Sequence, residues 1–117
     1  KPHPLKIFFF FYKVELSENF KKEAKKLTKK YPSLKVELAE LFTELEEAPT
    51  TGTPLGNDIY KIRLAVASKN KGKSGGARVM SFVKVTDTTV LLFSIYNKGD
   101  KDSISDKEIE ELIKDYI

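Results

Sequence analysis

The sequence predicts an α+β domain in which an antiparallel β-sheet packs against an N-terminal helical hairpin and a C-terminal helix follows, in the order β-α-α-β-β-β-α. Three observations carry this. Two stretches of helical period lie back to back between residues 17 and 47, parted by Pro32-Ser33. Runs rich in β-branched and aromatic residues dominate the second half, separated by polar segments. The last stretch opens with Ser105 and Glu108 at capping-box spacing.

The elements follow in order. Phe8 to Leu16 is aromatic and β-branched and reads as a strand. Ser17 is placed to cap a helix whose apolar positions are Phe20, Ala24, Leu27 and Tyr31. Its outer faces carry Lys21, Lys22, Lys25, Lys26, Lys29 and Lys30. Pro32 ends it, because the residue before a proline avoids the helical region. Ser33 is placed to cap a second helix with Leu34, Leu38, Leu41, Phe42 and Leu45 inside and glutamates outside. Thr50 to Asn57 reads as a Gly/Pro/Thr-rich connection. Tyr60, Ile62, Leu64 and Val66 then alternate with Lys61, Arg63, Ala65 and Ala67, a strand with one cationic face. Ser68 to Gly76 is a glycine- and lysine-rich loop. Ala77 to Thr86 is the next strand, Asp87-Thr88 a turn, and Thr89 to Tyr96 an apolar strand expected to be covered on both faces. The last helix places Ile109, Leu112, Ile113 and Tyr116 inward. The expected core includes Leu27, Leu38, Leu41, Leu64, Val83 and Leu92. No repeat or linker divides the chain, so residues 1–117 are expected to form one domain.

Composition narrows the chemistry. Hydrophobic residues make up 40% of the chain, enough for a packed core and too many for a disordered segment. There is no cysteine and a single histidine, His3, set between two prolines. That excludes a cysteine nucleophile, a His/His nuclease and a zinc site. The apolar run from Ile7 to Tyr12 is far short of the ~20 residues that span a bilayer, and no small-residue cleavage site follows it. The chain is therefore expected to be cytoplasmic, without a membrane partner.

The net charge of +4 is unevenly spread. Residues 1–31 carry +6, residues 32–58 carry −5, residues 59–101 carry +7 and residues 102–117 carry −4. If the two basic segments meet, the face they form suits a polyanion. From charge alone an ordinary solvated surface is the simpler reading. Gly72-Lys73-Ser74 has the look of a phosphate-binding loop, but Ala67 stands where its first glycine belongs and a strand follows it. What remains is Lys61 and Arg63 on one strand and Arg78 on the next. Cations fixed on a sheet can hold a scissile phosphate and stabilise the charge that develops there. RNA brings its own nucleophile, the 2′-hydroxyl, so such a site needs neither metal nor cofactor.

Longer strings carry a resemblance to a known family. They are the lysine-rich first helix with Lys30-Tyr31-Pro32-Ser33-Leu34-Lys35, then Gly52-Thr53-Pro54-Leu55-Gly56, Tyr60-Lys61-Ile62-Arg63-Leu64-Ala65, Gly72-Lys73-Ser74-Gly75-Gly76-Ala77-Arg78-Val79 and Ile95-Tyr96-Asn97-Lys98. Over residues 12 to 114 the chain resembles a RelE/HigB-type toxin of the RelE/ParE superfamily. The resemblance implies a RelE-like fold and a toxin of a type II toxin–antitoxin system. It implies a metal-independent endoribonuclease, an mRNA interferase that cuts mRNA at the ribosome, blocks translation and is silenced by a cognate antitoxin protein. Lys61 and Arg63 match the family's basic pair on the first strand after the hairpin. Arg78 matches the arginine that contacts the scissile phosphate, and Lys98 falls in the basic patch after the last strand. The best-studied branch carries an arginine and a tyrosine near there; the aligned positions hold Gly99 and Ser105, which leaves Tyr96 and Lys98 as substitutes by position. Lys22, Lys25 and Lys26 of the first helix and Lys69, Lys71 and Lys73 of the loop are expected to attract RNA phosphates. Residues 1–11 exceed the usual start of the family. Two alternatives stay open: a ParE-like toxin that binds a protein target, or an RNA-binding protein without catalysis.

Overall fold

A computed structural model describes residues 11–69, 72 and 75–117. Five strands and three helices are present among them: β1 Lys13–Leu16, α1 Glu18–Lys30, α2 Leu34–Glu47, β2 Thr53–Gly56, β3 Ile59–Leu64, β4 Ala77–Lys84, β5 Thr89–Asn97 and α3 Asp106–Ile113. The strands form one sheet in the order β1-β5-β4-β3-β2. The α1–α2 hairpin covers one face of it, burying Phe20, Leu38, Leu41 and Leu45 against Ile62, Val79, Leu92 and Ile95. The opposite face holds a smaller cluster, in which Met80, Phe93 and Tyr96 meet Ile109 and Ile113 of α3. β5 is buried along its whole length, as its apolar run predicts.

Local sequence explains the caps. The Ser17 side chain accepts a hydrogen bond from the Phe20 amide at 3.0 Å, closing the first turn of α1. Ser105 and Glu108 form the expected capping box of α3. Ser33 does not cap α2. It is itself in helical conformation, and its hydroxyl meets Glu37 Oε1 at 3.1 Å and Ser68 Oγ at 2.8 Å. The α1–α2 turn is thereby fastened to the short 3₁₀ turn Ala67–Lys69, an attachment that the Ala67 amide strengthens by donating to Glu37 Oε2 at 2.7 Å.

The sheet departs from the expected antiparallel one in two ways. β1 runs parallel to β5, from Lys13 beside Thr89 to Leu16 beside Leu92. The long return through the hairpin and the rest of the sheet makes this possible, because parallel neighbours need a long crossover. The segment Thr50–Asn57 is not only a connection: Thr53–Gly56 adds an edge strand to β3. A proline is tolerated there because an edge strand leaves one side of its backbone unpaired. Gly52 makes the close approach possible, with φ +110°; a Cβ would lie 2.7 Å from the Lys61 carbonyl oxygen. Strand ends also shift. The first strand begins at Lys13, Phe8 to Phe10 lying outside the described residues, and the strand after β2 stops at Leu64.

Of the expected core, Leu38, Leu41, Val83 and Leu92 are buried. Leu27 and Leu64 are partly buried at the margin of the hairpin-side cluster.

Candidate active site

Strand pairing brings three of the expected cations, Lys61, Arg63 and Arg78, onto one face. Arg63 of β3 stands opposite Arg78 of β4, and Arg78 opposite Tyr96 of β5. Cross-strand partners point to the same face of a pleated sheet. Arg63, Arg78 and Tyr96 therefore form one row, on the face where Tyr96 shares a buried cluster with α3. Lys61 lies two residues before Arg63, paired with Met80 of that same cluster, and so belongs to this face. Gly76, two residues ahead of Arg78, serves the strand start. A Cβ on Gly76 would lie 2.0 Å from the Leu64 carbonyl oxygen, so only glycine lets β4 begin against the end of β3.

The row runs from solvent inward. Arg63 is exposed and Lys61 half-buried, and neither has a salt bridge among the described residues. Arg78 is only 3% exposed, and its Nη1 donates to the Ala77 carbonyl at 3.2 Å. A guanidinium keeps its proton near neutral pH, so this is a positive charge held inside the protein. Tyr96 is also buried, and its hydroxyl has no hydrogen-bond partner among the described residues. Burial raises the Tyr96 pKa above the usual tyrosine value; the positive charges of Arg78 and Lys101 oppose the rise, and Asp102 adds to it. At neutral pH Tyr96 is therefore a protonated group, able to donate a hydrogen bond or a proton and unsuited to removing one.

This shift has a consequence for stability. The unfolded chain releases the tyrosine proton at the ordinary value near 10, the folded chain only at a higher pH. The stabilisation is fully present below pH 10 and is lost as pH rises through the folded value. Urea unfolding from pH 8 to 11 should show a steeper alkaline loss in the parent than in Tyr96→Phe. Parallel curves would mean that Tyr96 titrates alike in both states.

Lys98 follows β5. Its amide donates to the Gly76 carbonyl at 3.0 Å, and its ammonium is paired with Asp102, whose carboxyl the Lys98 hydrogen bond holds below the usual carboxylate range. Lys98 is thus engaged with the loop after β5 rather than with the row. A residue the sequence did not single out stands closer: Lys101 Nζ lies 5.7 Å from the centre of the Tyr96 ring while pairing with Glu108 at 2.9 Å. It sits in an irregular polar loop, where no periodicity marks a site.

The expected RNA-attracting lysines are divided. Lys22, Lys25 and Lys26 are exposed on α1. Only Lys26 comes near the row, lining a cleft of about 330 Å³ with Tyr96 and Lys101; Lys25 borders a separate groove between α1 and α2. Lys69 is anchored, donating to Asn97 Oδ1 and lying 5.4 Å above the Tyr31 ring. Lys71 and Lys73 lie outside the described residues. Among the described residues no group of histidine, cysteine, aspartate and glutamate is arranged to hold a metal ion, and no helix is long and apolar enough to cross a membrane.

The described residues form an α+β sheet with a helical hairpin on one face and a cationic row on the other, and comparison with known proteins identifies the family. The family model described as the RelE toxin of the RelE / RelB toxin–antitoxin system matches residues 12–115, and the chain belongs to this family. Among solved structures, a mutant of the E. coli toxin RelE in the free state is 21% identical, over 92% of this chain and 99% of that one, with a TM-score of 0.61. The isolated E. coli RelE toxin is 23% identical, over 91% and 99%, with a TM-score of 0.57. A chain of the RelBE2 toxin–antitoxin complex of Mycobacterium tuberculosis is 20% identical, over 75% and 92%, with a TM-score of 0.52. No curated protein sequence matches the chain.

Proposed function

We propose that the chain is the toxin of a type II toxin–antitoxin system and acts as an endoribonuclease that cuts mRNA at the ribosome and so blocks translation. The observation that supports this most is the cross-strand row of Arg63, Arg78 and Tyr96. In cleavage of this kind the 2′-hydroxyl of RNA gives its proton to solvent water as its oxygen attacks the neighbouring phosphorus, the P–O5′ bond breaks, and the 5′-oxygen takes up a proton as it leaves. The phosphorane between them gains negative charge, and Arg78 is the preorganised donor to meet it. Arg63 and Lys61 place the backbone, and Lys98 joins them once its pair with Asp102 opens. Tyr96, protonated at neutral pH, suits donation to the leaving oxygen. Because Arg78 is enclosed, RNA reaches it only when the cover of this face opens. Lys22, Lys25, Lys26, Lys69, Lys71 and Lys73 attract rRNA or mRNA phosphates over longer range. The partners are then the ribosome, its mRNA and a cognate antitoxin, and the compartment is the cytoplasm.

The burial of Arg78 also favours a second reading, a ParE-like toxin whose target is a protein. Primer extension on cellular mRNAs after induced expression separates the two. Discrete cuts within reading frames, lost in the Lys61→Ala/Arg63→Ala/Arg78→Ala variant, support the nuclease. Growth arrest with intact mRNA overturns it in favour of the second.

A further inference from the structure

Strand β5 changes face partway along its length. Met80 of β4 pairs with Ser94 and Ser81 with Leu92, so Phe93 is an extra residue on β5, a β-bulge. Leu91 and Phe93 lie in the α3-side cluster, Leu92 and Ile95 in the hairpin-side cluster, and Tyr96 again in the α3-side one. In an unbroken strand the side-chain period of two would put residue 96 on the same face as Leu92, against the hairpin. The extra residue reverses this and brings Tyr96 into line with Arg78.

The bulge lies where β5 has lost its outer neighbour. β1 follows β5 only as far as Leu16 beside Leu92. Beyond that point side chains of α1 and its cap take over the open edge. The Phe93 carbonyl accepts from Asn19 Nδ2 at 3.0 Å and from the Ser17 hydroxyl at 3.4 Å. The Ile95 amide donates to Glu23 Oε1 at 3.2 Å, and the Ser94 hydroxyl donates to the same oxygen at 2.9 Å. Asn19 Nδ2 is the third donor, at 2.8 Å, reaching Glu23 from four residues away on one helix face. Glu23 forms no salt bridge among the described residues. One carboxylate oxygen thus gathers three donors, two of them from β5 just past the bulge, and bonds to a charged acceptor are the stronger kind. Tyr96 follows Ile95 directly, and its buried hydroxyl has no hydrogen bond among the described residues. Its position is set by its strand and its packing rather than by a bond of its own.

We infer that Glu23 is a positioning residue for the proposed cleavage: it pins the β5 bulge that turns Tyr96 onto the cationic row. The inference rests on the nuclease reading above, with Tyr96 as donor to the leaving oxygen. Glu23 acts through Tyr96 and needs no contact with RNA.

The test is single-turnover cleavage of ribosome-bound mRNA over a range of protein concentrations, with Glu23→Ala and Tyr96→Phe singly and together. Glu23 lines clefts of about 330 and 200 Å³, so water reaches the donors that alanine frees, and the variant should fold. Glu23→Ala should slow the saturated rate by about tenfold with the half-saturating concentration unchanged, since a misplaced proton donor costs rate and not binding. In the Tyr96→Phe background the same change should cost less than about twofold, because residues that act as a unit are not additive. Glu23→Gln keeps an oxygen for Ile95 and Ser94 and should stay within about threefold of the parent. Hydrogen exchange at the Ile95 amide should quicken by about tenfold or more in Glu23→Ala, whether or not RNA is cut. Should Glu23→Ala unfold, Asn19→Ala, which frees the Phe93 carbonyl, replaces it in the same cycle. An equal loss in both backgrounds would mean that Glu23 acts apart from Tyr96, and overturns the inference. So does a Glu23→Gln variant as slow as Glu23→Ala, which assigns the effect to charge, or a raised half-saturating concentration at an unchanged rate, which assigns it to RNA placement. Unchanged exchange at Ile95 overturns the pinning itself. A parent chain that leaves mRNA whole overturns the nuclease reading and this role with it, whereas a cutting parent matched by Glu23→Ala overturns the role alone.

Discussion

Arg78→Ala should slow single-turnover cleavage of ribosome-bound mRNA by ~10²–10³-fold even at saturating protein. The transition state carries more negative charge than the phosphodiester, and a fixed guanidinium meets it with two parallel hydrogen bonds. Saturation separates this from a binding defect, which concentration overcomes. Because Arg78 is 3% exposed, its removal also disturbs packing, so the melting temperature must be followed alongside. Arg78→Lys provides the second variant. It keeps the charge and most of the volume but loses the fork geometry, and should remain slow while folding nearly as well as the parent. Cleavage near the parental rate in either well-folded variant would remove Arg78 from the chemistry.

Leu92→Ala should destabilise the fold by ~2–5 kcal/mol. Leu92 is 0% exposed at the centre of β5, where it meets the hairpin cluster. The same strand pairs with β1 on one side and β4 on the other, so the cavity cannot close by moving an edge. Leu41→Ala, buried on α2, should fall in the same range. Denaturant unfolding would show the midpoint falling with little change in slope. An unchanged midpoint in Leu92→Ala would mean that the hairpin does not hold the sheet as described.

The parts of the fold that were legible in the sequence are those whose cause is local. The period of 3.6 around Phe20 to Leu45, the Ser105–Glu108 box and the apolar run of β5 each fix their own element. β2 was hidden because Thr53-Pro54-Leu55-Gly56 has turn composition, and its strand conformation comes from pairing with β3. Parallel pairing of β1 with β5 is likewise a matter of topology, invisible in either strand's residues. Ser33 has the residue type of a cap, but Glu37 and the distant Ser68 engage its hydroxyl. The candidate site divides in the same way. Lys61 and Arg63 show as polar positions in an alternating strand, and Arg78 through the glycine-rich string before it. Their cross-strand alignment with Tyr96 depends on register. The depth of Arg78 depends on what packs over the sheet. Lys101 gave no signal, since its place beside Tyr96 is set by a loop and by Glu108.

The proposed activity is cleavage of mRNA at the ribosome. Its most direct test is a reconstituted reaction with purified ribosomes, a defined mRNA, an occupied P site and an empty A site. Saturating protein is added with and without a chelator. A discrete cut in the ribosome-bound mRNA is expected that persists in the chelator, is much slower on the same mRNA without ribosomes, and is lost in the Arg78 variants. An mRNA left whole by well-folded parent protein under these conditions would contradict it.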